Sequence, residues 1–352
     1  MKVFIPDDIV FAVEVKELFI LTRPFYDGKK WSNSDAVLQR WGLMNGEVML
    51  TKEISEADVV LLPYSINRYV STGNLTALER YNNWCAAHKS KGYGYITGDW
   101  GLRFPEFENI TYFRMGGFRS QLSPLNQGFP VLLSDHLHRI YGTDVITPRE
   151  WSDLPVVGFC GHASFSFVKK IKEKLKFIRE NMKRSWRSTL TNNMEPIFPS
   201  AYHRALLLNN IRKSDQLISN FIYRDQYRAG VKSPREQEET TKQYFENIRN
   251  SDYVLCLRGG GNFSVRFYET LLMGRIPVFI NTDCLMPFED QIHWKEHVVW
   301  VEWKDREQVV EKILEFHNSL SKPQFKELQL RNRDIWKEGL SIKKMMEYIA
   351  RY

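Results

Sequence analysis

The stretch SDYVLCLRGGGNFSVRFYETLLMGRIPVF, Ser251 to Phe279, reads as a buried strand, a glycine turn, a short helix and a second buried strand. The apolar run Tyr253 to Leu257 suits a strand covered on both faces, and Ile276 to Phe279 is its parallel partner. Between them Gly259, Gly260 and Gly261 let the chain turn sharply, because glycine alone tolerates positive φ, and they let backbone come close to a bound group. Ser264 is a good N-cap and Gly274 a good C′ residue for a helix over 264–273. A helix that starts after such a turn aims free N–H groups and partial positive charge at an anion, and a phosphate or diphosphate is the natural guest. Arg258 and Arg266 flank the turn, and guanidinium forks match phosphate oxygens in pairs. Glu269 stands one turn beyond Arg266 on the same face, where a carboxylate accepts hydrogen bonds from ribose hydroxyls. The bland alternative is a surface i,i+3 ion pair.

Working outward, "VVGFCG", "QLISNFIYR", "YVLCL", "IPVFI" and "VVWVEW" read as strands, alternating with helical patterns that include about 236–250. Upstream, "MKVFI", "ADVVLLPYS", "GYGYITGD", "NITYFRM" and "FPVLLSD" have the same rhythm of short buried strands. Between the two sets "TDVITPREWSDLP" is polar, holds two prolines and lacks periodicity, as a linker would. The expectation is therefore an α/β protein of two Rossmann-like domains, 1–150 and 151–330, which suits 352 residues. The tail 331–352 should be helical and cross back to brace the first domain.

A composition of 43% hydrophobic and 14% aromatic residues excludes disorder. Cys85, Cys160, Cys256 and Cys284 have no CxxC spacing and read as reduced and buried. The N-terminal apolar run meets Asp7 and Asp8 too early for a secretory or membrane-spanning segment, so a cytoplasmic protein is expected. Of the sequons at Asn74, Asn109 and Asn262, the last falls inside the glycine turn, where a glycan would block any guest. Net charge is +7, and Phe167 to Arg187 alone carries nine Lys or Arg against two Glu. Val168, Ile171, Leu175, Ile178 and Met182 recur there at helical spacing, which predicts an amphipathic helix with a basic outer face. Such a helix is either a solvated surface or a peripheral contact with an anionic membrane, at the inner face for a cytoplasmic protein.

Two rival readings differ in class. "GGGNFS" nearly satisfies the dinucleotide pattern GxGxxG, with Asp283 about 20 residues on, which would make an NAD(P)-dependent oxidoreductase. Against it, the third glycine is Ser264, and the turn is not the first βα turn of its domain. The other rival is a non-catalytic basic module gripping nucleic acid or an anionic membrane through 167–187. No GxxxxGK[ST] is present, so a P-loop is excluded.

The order from Ser251 to Trp294, with strand, glycine turn, Ser264-x-Arg266-x-x-Glu269, a small residue before "IPV", then "PF" and Trp, resembles the C-terminal signature of the exostosin-like glycosyltransferases. "VVGFCG" matches the strand that opens the second domain in that family. The likeness is specific over about 50 residues, looser through the rest of the second domain, and almost absent from the first. It implies the GT-B architecture of two facing Rossmann-like domains and inverting transfer from a nucleotide-diphosphate sugar. It also implies roles: Arg266 on the diphosphate, Glu269 on the ribose, and the turn Gly259, Gly260, Gly261, Asn262, Ser264 around the phosphates. The membrane anchor of animal members is not seen, which points to a cytosolic, microbial enzyme acting on a glycan or lipid-linked glycan acceptor, with no nucleic-acid partner.

Inverting transfer needs a general base and positive charge at the leaving diphosphate. No Asp-x-Asp occurs, so no metal and no other cofactor is expected. The base should project from the end of a first-domain strand: Asp99 is the first choice, Asp135 and His136 the next. His162, in the turn after "GFCG", faces the same cleft as a donor contact or is a plain turn residue. Arg224 and Arg228 in "NFIYRDQYRAG" line the donor pocket or end a solvated helix.

Overall fold

The computed structural model describes residues 1–7, 15–28, 30–32, 38–39, 41–44, 46–187, 194–225, 230–231 and 233–351. Six strands, β1 (Lys2–Phe4), β2 (Met49–Thr51), β3 (Val59–Leu61), β4 (Lys91–Ile96), β5 (Ile110–Arg114) and β6 (Asn126–Gly128), form one sheet in the order β2-β1-β3-β4-β5-β6. Five more, β7 (Val156–His162), β8 (Ile218–Arg224), β9 (Tyr253–Cys256), β10 (Ile276–Asn281) and β11 (Val299–Glu302), form a second in the order β11-β10-β9-β7-β8. Every pairing in both is parallel. Helices α1 (Ile66–Ser71), α2 (Leu75–His88) and α3 (His136–Tyr141) belong to the first unit. Then come α4 (Phe167–Arg187), α5 (Ser200–Lys213), α6 (Pro234–Arg249), α7 (Val265–Leu272), α8 (Val309–Asn318), α9 (Lys322–Asp334) and α10 (Ile342–Ile349). This is the α/β architecture of two parallel-sheet units expected from the two sets of strand runs, in the facing arrangement that the resemblance implies.

The continuous apolar runs at β9 and β10 follow from cover on both faces. Tyr253 and Leu255 point to one side, among Leu207, Leu208 and Ile211 of α5 and Phe325 and Leu328 of α9. Val254 and Cys256 point to the other, among Phe245 and Ile248 of α6 and Phe267 and Leu271 of α7. That second core continues into the first unit through Val3, Phe19, Val59, Tyr93 and Phe113, and takes in Met345, Met346 and Ile349 of α10. The tail thus returns to the first unit: the Tyr93 hydroxyl donates to the Ile349 carbonyl at 3.2 Å, and Lys343 meets Glu47 at 3.2 Å. All four cysteines are buried and free. Residues 142–155 carry neither helix nor strand, yet are held by Arg149 on Asp252 at 2.6 Å and by Trp151 stacked on His317.

Two local expectations fail for identifiable reasons. "FPVLLSD" is not a strand. The sixth strand is the preceding Asn126–Gly128, paired with β5, because Pro130 offers no N–H to a ladder and the following apolar side chains pack on the core without one. The apolar stripe of α4 does not face inward. Val168, Ile171, Leu175, Ile178 and Met182 are exposed, while Glu173, Phe177, Asn181 and Arg184 hold the helix to the protein.

Asp135 is spent on architecture and is not a general base. Its carboxylate caps α3 by accepting from the backbone of Leu137 and His138, and it takes both Arg333 terminal nitrogens at 3.2 and 2.5 Å. Arg333, buried on α9, also donates to the carbonyls of Leu272 and Asp144, so one guanidinium ties α3, α7 and α9 together. Arg333→Ala is expected to lower the unfolding free energy by about 3 kcal/mol or more, because it strands a partly buried carboxylate. Asp135→Asn, which keeps the cap acceptor, is expected to cost less; urea midpoints measure both.

Candidate functional site

The C-terminal ends of β4 and β5 meet those of β9 and β10, which is where open α/β sheets hold ligands. The contact is between backbones. A Cβ on Gly261 would lie 2.2 Å from the Asp99 carbonyl oxygen, and one on Gly260 3.5 Å from the Trp100 ring nitrogen. At Gly259 the space is open, with Arg204 nearest at 3.9 Å. None of the three glycines has positive φ, so the left-handed turn expected of them does not occur, and only at Gly261 does close approach exclude a side chain. Gly274, with φ +61, is the left-handed residue at the far end of α7.

Asn262 is a staple between the units and does not face a ligand. Fully buried, its amide nitrogen donates to the carbonyls of Gly117, Thr282 and Asp283 at 2.9 to 3.0 Å, and its oxygen accepts from the Thr282 hydroxyl at 2.6 Å. Asp283, the carboxylate a dinucleotide reading would put on a ribose, instead accepts from the Ser120 hydroxyl at 2.6 Å and the Ser120 backbone.

The flanking arginines divide. Arg258 is 2% exposed, paired with the buried Glu195, bonded to the Gly260 carbonyl at 2.9 Å and sandwiched between Phe118 and Phe198. It supports the turn from beneath and cannot also grip a phosphate, contrary to the sequence expectation. Burial pushes the Glu195 carboxyl up, against the pull of Arg258, Arg184 and Arg114. Arg224 is likewise committed, to the Thr240 carbonyl at 2.7 Å and Gln243 at 3.1 Å on α6, and it reaches no turn. Arg228 lies outside the described residues.

Arg266 lies over Phe159 in a notch left by Gly161, where a Cβ would stand 2.7 Å from a guanidinium nitrogen. It donates to the Cys160 carbonyl at 2.9 Å and to the Tyr244 hydroxyl at 3.3 Å. That hydroxyl donates in turn to Glu269. Burial, with the Glu269 charge adding, pushes the Tyr244 phenol well above its usual value and keeps it a donor. Sequence reading missed Tyr244 and also Arg204, from the first turns of α5. Arg204 donates to the Arg258 carbonyl at 2.9 Å and more loosely to those of Leu257 and His162. Its Nε is buried without a partner among the described residues. Burial, then the nearby Arg266 charge, pushes its pKa down to about 10. Arg204 and Arg266 are therefore two neighbouring cations whose direct hydrogen-bond acceptors are neutral, with the charges of Glu173 and Glu269 acting on them only through space; it is Arg204, with its pKa depressed, that an anion would relieve. Arg204 sits in "SAYHRALLLNN" with no local signal to mark it.

Around this pair stand Ser264, at the N-cap of α7 with its hydroxyl capping nothing, and His162, whose Nδ1 is 3.0 Å from the Arg224 carbonyl. With Nδ1 so engaged, Nε2 is the ring's remaining polar atom. Asp99 follows β4 with its backbone against Gly261; its side chain is exposed, and partial desolvation raises its carboxyl above the ordinary value. His136 does not join the group. Its ring stacks on Phe245 at 4.3 Å, its Nδ1 is buried without a partner among the described residues, and burial lowers its pKa.

Residues 164–316 match the family model described as Exostosin GT47 domain. The "Probable glucuronosyltransferase 47 A" of Physcomitrium patens is 31% identical over 116 residues, 31% of this chain and 26% of that protein. The "Exostosin-1 homolog" of Caenorhabditis elegans is 30% identical over 119 residues, 33% of this chain and 30% of that protein. The matched part thus spans less than a third of these relatives' length. Among solved structures, S. aureus TarM aligns with a TM-score of 0.34 at 10% identity, over 75% of this chain and 51% of that one, a likeness too low to carry an argument.

The turn geometry separates two substitutions that look alike in sequence. Gly261→Ala forces Asp99 away and is expected to cost about 1–3 kcal/mol, read as a lower melting temperature. Gly259→Ala, with open space and an ordinary φ, is expected to leave the melt unchanged.

Proposed function

Because residues 164–316 match the family model of the exostosin GT47 domain, we propose that the protein is a glycosyltransferase that moves a sugar from a nucleotide-diphosphate donor to a hydroxyl of a glycan or lipid-linked glycan. The observation that carries this reading is the Arg204 and Arg266 pair, two neighbouring cations that make no direct ion pair among the described residues and hydrogen-bond to neutral acceptors beside the start of α7. In this reading the diphosphate lies against both guanidinium groups, the backbone at Gly259 and Gly260, and the Ser264 hydroxyl, while Glu269, oriented by Tyr244, accepts from the ribose. Support for a nucleotide-sugar donor also comes from the name of the Physcomitrium patens relative, which describes glucuronosyl transfer.

Transfer proceeds with inversion at the anomeric carbon and without a metal. The acceptor hydroxyl gives its proton to the Asp99 carboxylate as its oxygen bonds to the sugar carbon. The bond from that carbon to the diphosphate oxygen breaks, and the oxygen leaves with the electron pair. Arg204 and Arg266 take up the growing negative charge, the part a divalent ion plays elsewhere. Because burial raises the Asp99 carboxyl, the base is ionised only above a pH higher than that of a free aspartate.

A uridine or guanosine diphosphate is expected to raise the melting temperature of the unaltered protein. Arg204→Met and Arg266→Met, which keep apolar volume, should each lose most of that rise and slow transfer by roughly 10²–10³. No rise with any nucleoside diphosphate, or an undiminished rise in both variants, would overturn the proposal. For the base, turnover of the unaltered enzyme should fall as pH drops through the raised Asp99 pKa, because only the carboxylate accepts the proton. Asp99→Asn should abolish that acid limb along with most of the rate.

A further inference from the structure

We propose that α4 is a docking surface for an anionic lipid bilayer, lying in the plane of the headgroups. Phe167, Val168 and Ile171, then Leu175, Ile178, Met182 and Trp186, fall at 3.6 residues per turn within one stripe about 100° wide. All are solvent-exposed, from 40% at Ile171 to 91% at Trp186. Burying that stripe is what the sequence pattern demands, and the protein itself does not do so.

The stripe cannot be rotated inward, because the opposite face is fixed. Phe177 stacks on Trp100 at 5.6 Å, Glu173 accepts from the Ser200 hydroxyl at 2.9 Å, Asn181 exchanges hydrogen bonds with the backbone of Glu195, and Arg184 donates to the Gly101 carbonyl. Charge selects the occupant. Lys172, Lys176, Arg179 and Lys183 border the stripe on one side and Lys174 on the other, all exposed. Both acids of the helix are spent, Glu173 on Ser200 and Glu180 on Lys183 at 2.9 Å. A second copy of this chain seated on the stripe would set basic rows against basic rows, whereas anionic headgroups complement them while the acyl layer takes the apolar residues. Trp186, near the end of the stripe, is the residue type that anchors at such an interface. The 21-residue helix is about 32 Å long, and no helix among the described residues is long and apolar enough to cross a membrane, so α4 lies on the surface.

This docking stands independently of the transfer reading. Its consequence rests on that reading: Trp100, which packs under α4, is also the neighbour of Gly260, so a bound protein holds the junction between its units at the membrane, where a lipid-linked acceptor presents its hydroxyl.

The test is flotation of the full chain with vesicles of phosphatidylcholine alone and of phosphatidylcholine mixed with phosphatidylglycerol. The protein is expected to float with the mixed vesicles only, and less at high salt. Brominated acyl chains should quench its tryptophan emission, a quenching reduced in Trp186→Phe. The triple variants Leu175→Ser, Ile178→Ser, Met182→Ser and Lys172→Glu, Lys176→Glu, Arg179→Glu are each expected to partition at least about tenfold more weakly. Their melting temperatures and nucleotide responses should stay unchanged. No flotation, equal flotation with neutral vesicles, quenching unaltered in Trp186→Phe, or a dimer in sedimentation velocity that the serine variant dissociates would each overturn it.

Discussion

At the centre of the molecule the carbonyl of Asp99 presses against the α-carbon of Gly261, leaving room for a hydrogen and nothing larger. That contact brings the ends of β4 and β5 to the ends of β9 and β10, and Asn262 locks it by filling the carbonyls of Gly117, Thr282 and Asp283 with one amide. A buried amide with every hydrogen-bonding position occupied tolerates little displacement, since each lost partner leaves a desolvated carbonyl. The same pattern repeats where Gly128 meets Met286 and where Gly161 yields to Arg266. Wherever the two units or the site's charges come closest, side chains have been removed.

With the junction set, electrostatics sorts the basic residues by whether a carboxylate stands opposite them. Arg258 and Arg333 are buried and paired, with Glu195 and Asp135, and their work is mechanical. Arg204 and Arg266 hydrogen-bond to carbonyls and a phenol, with Glu173 and Glu269 no nearer than through-space neighbours, so their charge is only partly offset. Uncompensated charge in a partly desolvated place costs free energy that a fitting anion returns.

Helix α4 shows the same logic on the outside. It spans the junction by its inner face, through Phe177 on Trp100 and Asn181 on Glu195, and so stiffens the cleft from above. Its apolar stripe contributes nothing to that grip. A helix gripped by one buried aromatic and a few polar contacts, with its apolar face turned to water, presents an apolar patch of the kind that a further surface covers.

By itself the sequence determined the strand, glycine segment and helix from Ser251 to Phe279, because a central parallel strand must be apolar on both faces and Gly274 supplies the left-handed residue that ends the helix. It also carried Arg266, Glu269 and Asp99 to the edge where the two sheets meet, since residues at strand ends and first helical turns in a parallel fold lie along one edge. Tertiary structure alone decided the rest. A capping aspartate and a catalytic one look alike in a strand-end motif, and only Arg333, 198 residues away, distinguishes Asp135. A helical period says that one face is apolar but not which face has a partner, so α4 was read inside out. Arg204, Tyr244 and Glu195 lie in unremarkable helix and loop segments, and they meet the glycine turn only through contacts distant in sequence, which no local pattern records.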